Sequence, residues 1–253
     1  MADTALSSVA LGTPAASNDA VRRERRFFLA FAVLSALVIF AGFTPSFYLK
    51  DVFHVPPPLS AMSRIHGVVF TAWVFLFLTQ AALINANNPA LHRRLGLTGA
   101  ALLGAVLAIG VMTGINAGRL GHAPPGAPAP LVFMAVPILG IAATAALFLS
   151  ALWNRARRDA HMRYMLAGFI TMTPPATNRL LVGMGHAAQG IWGAFAIMDS
   201  LLLVAILYDA RITSRFHPAW LWSALVILLA EAAIFWAFSS AVWLSWAHWL
   251  IQT

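Results

Sequence analysis

The sequence predicts an all-α protein: a bundle of seven transmembrane helices with its N-terminus in the cytoplasm and its C-terminus outside. Three observations predict this fold. Of the 253 residues, 60% are hydrophobic and only 9% are charged, whereas about 25% of the residues in a soluble domain are charged. Apolar runs of about 20 residues, the length that crosses a bilayer as a helix, recur along the whole chain. The arginines between these runs fall mostly in alternate loops, and therefore on one side of the membrane.

The predicted spans are separated by short loops in which proline, glycine and arginine are common. The seven spans are expected at 27–47, 65–86, 95–118, 130–153, 164–183, 189–208 and 218–239. Residues 1–20 are small and polar without periodicity, so we expect a flexible N-terminal tail before a transmembrane domain of residues 21–240. Residues 241–253 are rich in tryptophan and are expected to lie at the outer membrane interface.

Local signals mark where several of these elements begin and end. Pro56–Pro58 stiffen the first outer loop, and the proline- and glycine-rich loop 119–129 cannot be helical throughout. Asn88-Pro89 and Asp159 stand where the third and fifth spans begin and favour helix starts. Pro174-Pro175 lies inside the fifth span and predicts a kink there, because two backbone donors are missing.

The distribution of positive charge predicts the orientation. Four of the 16 lysines and arginines lie on the predicted outer side: Lys50, Arg64, Arg119 and Arg179. The other twelve lie on the opposite side: Arg22, Arg23, Arg25, Arg26, Arg93, Arg94, Arg155, Arg157, Arg158, Arg163, Arg211 and Arg215. Cytoplasmic loops carry the excess of arginine and lysine, so the N-terminus is expected inside.

Composition also excludes several functions. The chain has no cysteine, which excludes disulfides, thiolate metal sites and iron–sulfur ligation. The net charge of +8 follows membrane sidedness, so we expect the lipid bilayer as a partner and no nucleic acid. A retinal Schiff base requires a lysine in the last span, and the only lysine is Lys50 in a loop. The sequence therefore excludes a retinal protein.

Two inner junctions repeat one pattern, H-x-R-x-x-L-x-G. It occurs at residues 92–99 and again at residues 161–168, and each copy opens a span. We therefore expect spans two–three and four–five to be two helical hairpins in parallel orientation, an arrangement known in membrane proteins.

His92 and His161 begin the two copies, each with an arginine two residues later. If the hairpins pack side by side, the two imidazoles face each other, which is the arrangement that bis-imidazole haem ligation needs. Arg94 and Arg163 could then bind propionates or phosphates. The alternative is that these side chains only anchor the helix ends in the headgroup region.

A second group of histidines lies on the predicted outer side. His66 is followed by Gly67, which permits close approach of a planar group or a neighbouring helix. His66 and His122, which lies in the following outer loop, are the favoured pair for a second haem or a copper site. The alternative is that both are boundary histidines hydrogen-bonded to water and backbone.

Three charges lie within the predicted spans. Arg179, about 24 Å along the fifth span, and Glu231, about 20 Å along the seventh, lie at similar depths. We expect them to pair, with Asp199 about one turn lower, since unpaired charges are costly in a bilayer. Asn178 and Arg179, after the Pro174-Pro175 break, are the best candidate wall of a polar cavity. The alternatives are a structural ion pair, a protonated Asp199, or a kink without a ligand.

Four short sequence segments resemble those of a group of bacterial multi-pass membrane proteins without an assigned activity. The segments are His66–Phe70, Leu91–Gly96, Arg158–Met165 and Asn178-Arg179. The resemblance implies a multi-pass protein of the bacterial cytoplasmic (inner) membrane.

A more distant resemblance is to di-haem transmembrane b-type cytochromes, in which histidine pairs lie on both sides of the membrane. It implies haem b bound by the inner pair, His92 and His161. The fourth span contains no histidine, so the outer partner that the resemblance requires for His66 is missing.

These observations favour a membrane redox protein that transfers electrons through haem or with a quinone. Two other classes stay open. One is a non-catalytic accessory subunit, or a lipid- or pigment-binding module, of a complex with other membrane subunits. The other is a small transporter or proton path through Asp199, Arg179 and Glu231.

Overall fold

The computed structural model describes residues 14–55 and 58–252, with the side chains of the first helix described from Asp19. All regular structure in these residues is helical: α1 Pro14–Phe43, a π-helix Thr44–Tyr48, α2 Lys50–Phe53, α3 Ala61–Asn85, α4 Pro89–Arg119, α5 Pro130–Phe133, α6 Ala135–Trp153, α7 Arg158–Ile170, α8 Pro174–Gly183, a 3₁₀-helix Ala187–Gln189, α9 Gly190–Thr213, α10 Pro218–Ala237 and α11 Ala241–Gln252. The all-α class predicted from the sequence is therefore confirmed. The flexible tail expected at residues 1–20 falls mostly outside the described residues.

Six helical segments of the described chain are long and apolar enough to cross a membrane. They cover Asp19–Tyr48, Ala61–Asn85, Pro89–Arg119, Pro130–Trp153, Ala187–Thr213 and Pro218–Ala237. They match six of the seven predicted spans. The remaining predicted span, 164–183, consists of two shorter helices, α7 of 13 residues and α8 of 10 residues.

The interruption between α7 and α8 follows from the double proline. Pro174 and Pro175 lack backbone N–H groups and cannot continue the hydrogen-bond ladder of α7. Threonine hydroxyls bond some of the carbonyls at the break: Thr171 donates to Gly168 O at 2.7 Å and Thr173 donates to Ile170 O at 2.8 Å. The break is therefore a point inside this helix pair where threonine hydroxyls replace part of the backbone hydrogen bonding.

Side-chain caps begin several of the helices. The Ser60 hydroxyl accepts a hydrogen bond from the Ser63 N–H at the start of α3. Asn88 accepts one from the Leu91 N–H and is followed by proline, as expected for the start of α4. The His217 Nδ1 atom accepts one from the Ala219 N–H before α10, so this histidine acts as a cap.

Sequential helices pack as hairpins, α3 with α4, α6 with α7 and α8 with α9, while α1 lies against α3, α7 and α8. An aromatic cluster fills the space between α3, α6 and α7. The Phe77 and Phe169 rings stack with centroids 4.0 Å apart, and Trp73 meets Phe148 edge-on at 5.1 Å.

The last helix, α11, folds back onto the end of the bundle after a turn at residues 238–240. The Trp243 indole donates to the Leu131 carbonyl at 2.9 Å, and the Arg119 guanidinium donates to the Ile251 carbonyl at 2.8 Å. These two bonds hold α11 against α4 and α5, while Trp246 and Trp249 stay exposed.

Candidate functional site

The two histidines of the repeated pattern lie next to each other. His92 is in the first turn of α4, and His161 is in the first turn of α7. Their ring centroids are 6.4 Å apart and the ring planes are nearly perpendicular, at 83°. The two helix starts that the sequence relates by an internal repeat therefore bring one imidazole each to a shared position.

Hydrogen bonds hold one of these imidazoles in a defined orientation. The His161 Nδ1 atom lies 2.8 Å from the Ala151 carbonyl oxygen at the end of α6. A carbonyl can only accept, so Nδ1 carries the proton and Nε2 keeps its lone pair. Metal-binding histidines are commonly oriented by such a bond to a backbone carbonyl.

The other imidazole has an unused buried nitrogen. The ring of His92 lies beside the backbone carbonyl of Gln80, and within the described residues its buried Nδ1 atom has no hydrogen-bond partner. The buried Oε1 atom of Gln80 also lacks one. A buried polar atom without a partner costs about 1–3 kcal/mol, so each of these atoms could accept a hydrogen bond or bind a further group.

The arginines of the two repeats have different surroundings. Arg94 is exposed at the same helix end as His92. Arg163 is only 1% exposed, and its Nε and Nη2 atoms each donate to the Asp209 carboxylate at 2.8 Å. Its Nη1 atom donates to the Asp159 carbonyl at 2.7 Å. Arg163 therefore binds a carboxylate of the chain itself, which corrects the expectation that it is free to hold a cofactor propionate.

Asp209 is the residue that the sequence analysis missed. Its carboxylate is fully buried near the end of α9 and also accepts the Trp220 indole N–H at 2.8 Å. Glu24 of α1 lies 3.4 Å from Arg163 and extends the network. The available signal was an acidic residue directly after the apolar run of the sixth span, followed two positions later by Arg211.

The proposed outer histidine pair is not joined by a contact. His66, in α3, packs against Phe70 with ring centroids 4.0 Å apart, and its buried Nδ1 atom has no partner among the described residues. His122 is exposed in the loop after α4. In the part of the chain that the structure describes, no three His, Cys, Asp or Glu side chains are grouped as metal ligands.

The expected Arg179–Glu231 pair is wrong. Arg179 Nε donates to the Ser46 hydroxyl at 3.2 Å, and its Nη1 atom donates to the Pro175 carbonyl at 2.8 Å. Glu231 lies on α10 and Asp199 on α9, and none of the four ion pairs among the described residues involves either carboxylate.

Asn178 also faces a neighbouring helix rather than Glu231. Its buried Oδ1 atom lies where a Cβ on Gly190 would come within 2.3 Å, so the glycine allows α8 and α9 to approach. That oxygen has no hydrogen-bond partner in the described residues.

The chain was compared with protein-family models, curated proteins and solved structures, and none of them matches. In the described residues, fold and site together define an all-helical protein with six helices able to cross a membrane and a pair of adjacent histidines at two helix starts.

Proposed function

We propose that this chain is an integral membrane redox protein of the b-type cytochrome kind, in which His92 and His161 would hold one haem b. The observation that carries the proposal is the adjacent pair of imidazoles, with centroids 6.4 Å apart. Two imidazoles that bind one metal ion have centroids within about 6 Å of each other, because each metal–nitrogen bond is about 2 Å long. A haem bound there supplies one-electron transfer at its iron.

The surrounding residues support this donor set. The bond to Ala151 leaves His161 Nε2 as an acceptor, and His92 retains a buried nitrogen without a partner. Exposed Arg94 would bind a propionate by a charge-assisted hydrogen bond. His66 would mark the outer side, where a quinone is the proposed exchange partner.

The proposal includes seven membrane crossings, with the histidine pair on the cytoplasmic side of a bacterial inner membrane. Contacts of α7 and α8 with α1, spread along the length of α1, support a crossing by α7 and α8. Arg158 lies 3.4 Å from Glu24, Ala176 meets Gly42, and Arg179 bonds to Ser46. From Glu24 to Ser46 the chain rises about 30 Å, the thickness of the hydrocarbon core.

The test is the absorption spectrum of the full-length protein purified from cells supplied with a haem precursor. We expect a Soret band and about one haem per chain in the wild type. His92→Ala and His161→Ala should each remove most of the bound haem, since one axial ligand is lost. His186→Ala is the matched control, because His186 is exposed in the turn after α8, and it should keep the wild-type spectrum.

Circular dichroism and size-exclusion chromatography establish that each variant is folded. A folded wild type that stays colourless after haem supply would contradict the proposal. So would a Soret band of wild-type intensity in both His92→Ala and His161→Ala.

A further inference from the structure

Arg179 is a cation without a carboxylate partner. Among the described residues no Asp or Glu oxygen lies within 4.0 Å of it, whereas the four ion pairs that do form involve other residues. Its hydrogen bonds go to two neutral oxygens, the Ser46 hydroxyl and the Pro175 carbonyl. Its guanidinium also lies over the Phe43 ring, 4.4 Å from the centroid. The positive charge is therefore oriented but not neutralised.

The residues that orient Arg179 lie on an irregular part of the chain. Ser46 belongs to the π-helix Thr44–Tyr48, which follows α1 directly. Such π-helical turns are rare and occur frequently at functional sites. Pro175 lies in the first turn of α8, directly after the break that follows α7, so both neutral acceptors come from places next to an interruption of a regular helix.

A second polar side chain lies in the same part of the bundle. His66 is near the start of α3, and the next residue, Gly67, packs against the ring of Phe47, the residue that directly follows Ser46. Its buried Nδ1 atom has no hydrogen-bond partner in the described part of the chain. Arg179 itself is exposed, so a ligand can reach its guanidinium from outside the bundle.

The position of Arg179 along the helices indicates the depth of this group. At about 1.5 Å per residue, Arg179 lies about 24 Å along the helices from Arg163. A hydrocarbon core is about 30 Å thick. If α7 and α8 cross the bilayer, Arg179 lies close to the outer headgroup region, within reach of phosphate groups.

We propose that Arg179 forms a binding site for a phosphate group at the outer membrane boundary. Guanidinium groups bind phosphate oxygens through charge-assisted hydrogen bonds. Nε and Nη1 of Arg179 donate to Ser46 and Pro175, and these two bonds fix the orientation of the Nη2 donors. The phosphate comes from a phospholipid headgroup or from a soluble phosphate. This site rests on the proposed crossing of the bilayer by α7 and α8, but not on the proposed haem.

The experiment uses full-length protein with Arg179→Gln and, as a matched control, Arg64→Gln. Arg64 lies on the same predicted side, is exposed, and donates to the Leu59 carbonyl. Native mass spectrometry of protein released from detergent tests for a retained phospholipid. On delipidated protein, the midpoint of thermal unfolding is measured in sodium phosphate and in sodium chloride of equal ionic strength.

We expect Arg179→Gln to lower phospholipid retention, or the affinity for inorganic phosphate, about tenfold, as befits the loss of one charge-assisted bond. Arg64→Gln should behave like the wild type. Loss of lipid retention identifies a headgroup as the source, and loss of the phosphate-induced stabilisation identifies a soluble phosphate. Equal retention and equal stabilisation in the two variants would overturn the proposal.

A measurement on the wild type keeps the test decisive if Arg179→Gln does not fold. Phenylglyoxal modifies accessible arginines, and peptide mass spectrometry quantifies each one. Inorganic phosphate or added phospholipid should protect Arg179 and leave Arg64 reactive. Modification of Arg179 at the same rate with and without both ligands would refute the site.

Discussion

At the scale of single residues, the best-defined interaction is the ion pair between Arg163 and Asp209. The side chain of Arg163 is 1% exposed and that of Asp209 is 0% exposed, and two bonds of 2.8 Å join them. Trp220 adds a third bond to the same carboxylate. A paired and hydrogen-bonded charge can stay buried, whereas one left without its partner is strongly destabilising.

Asp209→Ala should therefore lower the free energy of unfolding by about 3–5 kcal/mol, because it leaves the Arg163 charge buried and unpaired. The control is Arg158→Ala, whose pair with Glu24 is 3.4 Å long and has one side chain 50% exposed. That change should cost at most about 1 kcal/mol. The midpoint of thermal unfolding in detergent is measured for both variants. Equal midpoints would show that the buried pair stabilises the protein no more than the exposed pair.

At the scale of helices, one glycine sets the distance between α1 and α8. A Cβ atom on Gly42 would lie 2.3 Å from the backbone oxygen of Ala176. Backbone cannot move aside as a flexible side chain does, so the two helices would have to separate. Gly104 in α4 is the opposite case, because nothing lies within 4 Å of its Cβ position.

Gly42→Ala should destabilise the protein by about 1–3 kcal/mol through overpacking. Gly104→Ala should stabilise it by up to about 1 kcal/mol, because alanine favours the helix. Both changes add one methyl group to a helix, so their difference in unfolding midpoint isolates the close approach of α1 and α8. A Gly42→Ala variant as stable as Gly104→Ala would mean that the two helices are not in contact.

At the scale of the whole molecule, the number of crossings depends on α7 and α8. Neither helix is long enough to span a bilayer by itself, yet together they follow α1 from Glu24 to Ser46. Seven crossings place the turn before α7 and the turn after α8 on opposite sides. A pair that enters and leaves on one side would place both turns together.

Single cysteines distinguish these topologies, because the chain has none of its own. Ala156 and His186 are exposed in the two turns and serve as sites for Ala156→Cys and His186→Cys. On intact spheroplasts, a membrane-impermeant maleimide should label His186→Cys and spare Ala156→Cys, and lysis should make both reactive. Labelling of both, or of neither, before lysis would exclude a crossing by α7 and α8.

How far the sequence predicts the candidate site differs from residue to residue. The proximity of His92 and His161 followed from an internal repeat, because equivalent positions in packed hairpins come together. The Arg179–Glu231 pair was wrong, because equal depth on two helices says nothing about their rotation or about which helices are neighbours. Asp209 was missed because it stood at the predicted end of a span, where a carboxylate is expected to meet water.

The sequence by itself determined the helical class, the positions of six membrane-competent helices and the break at Pro174-Pro175. These features depend on local properties: the apolar length of a run and the missing N–H of proline. Only the tertiary structure decided that Arg163 pairs with Asp209 and that Arg179 lies beside Ser46 rather than a carboxylate. Such contacts join residues from separate helices, and their partners are set by how the helices pack.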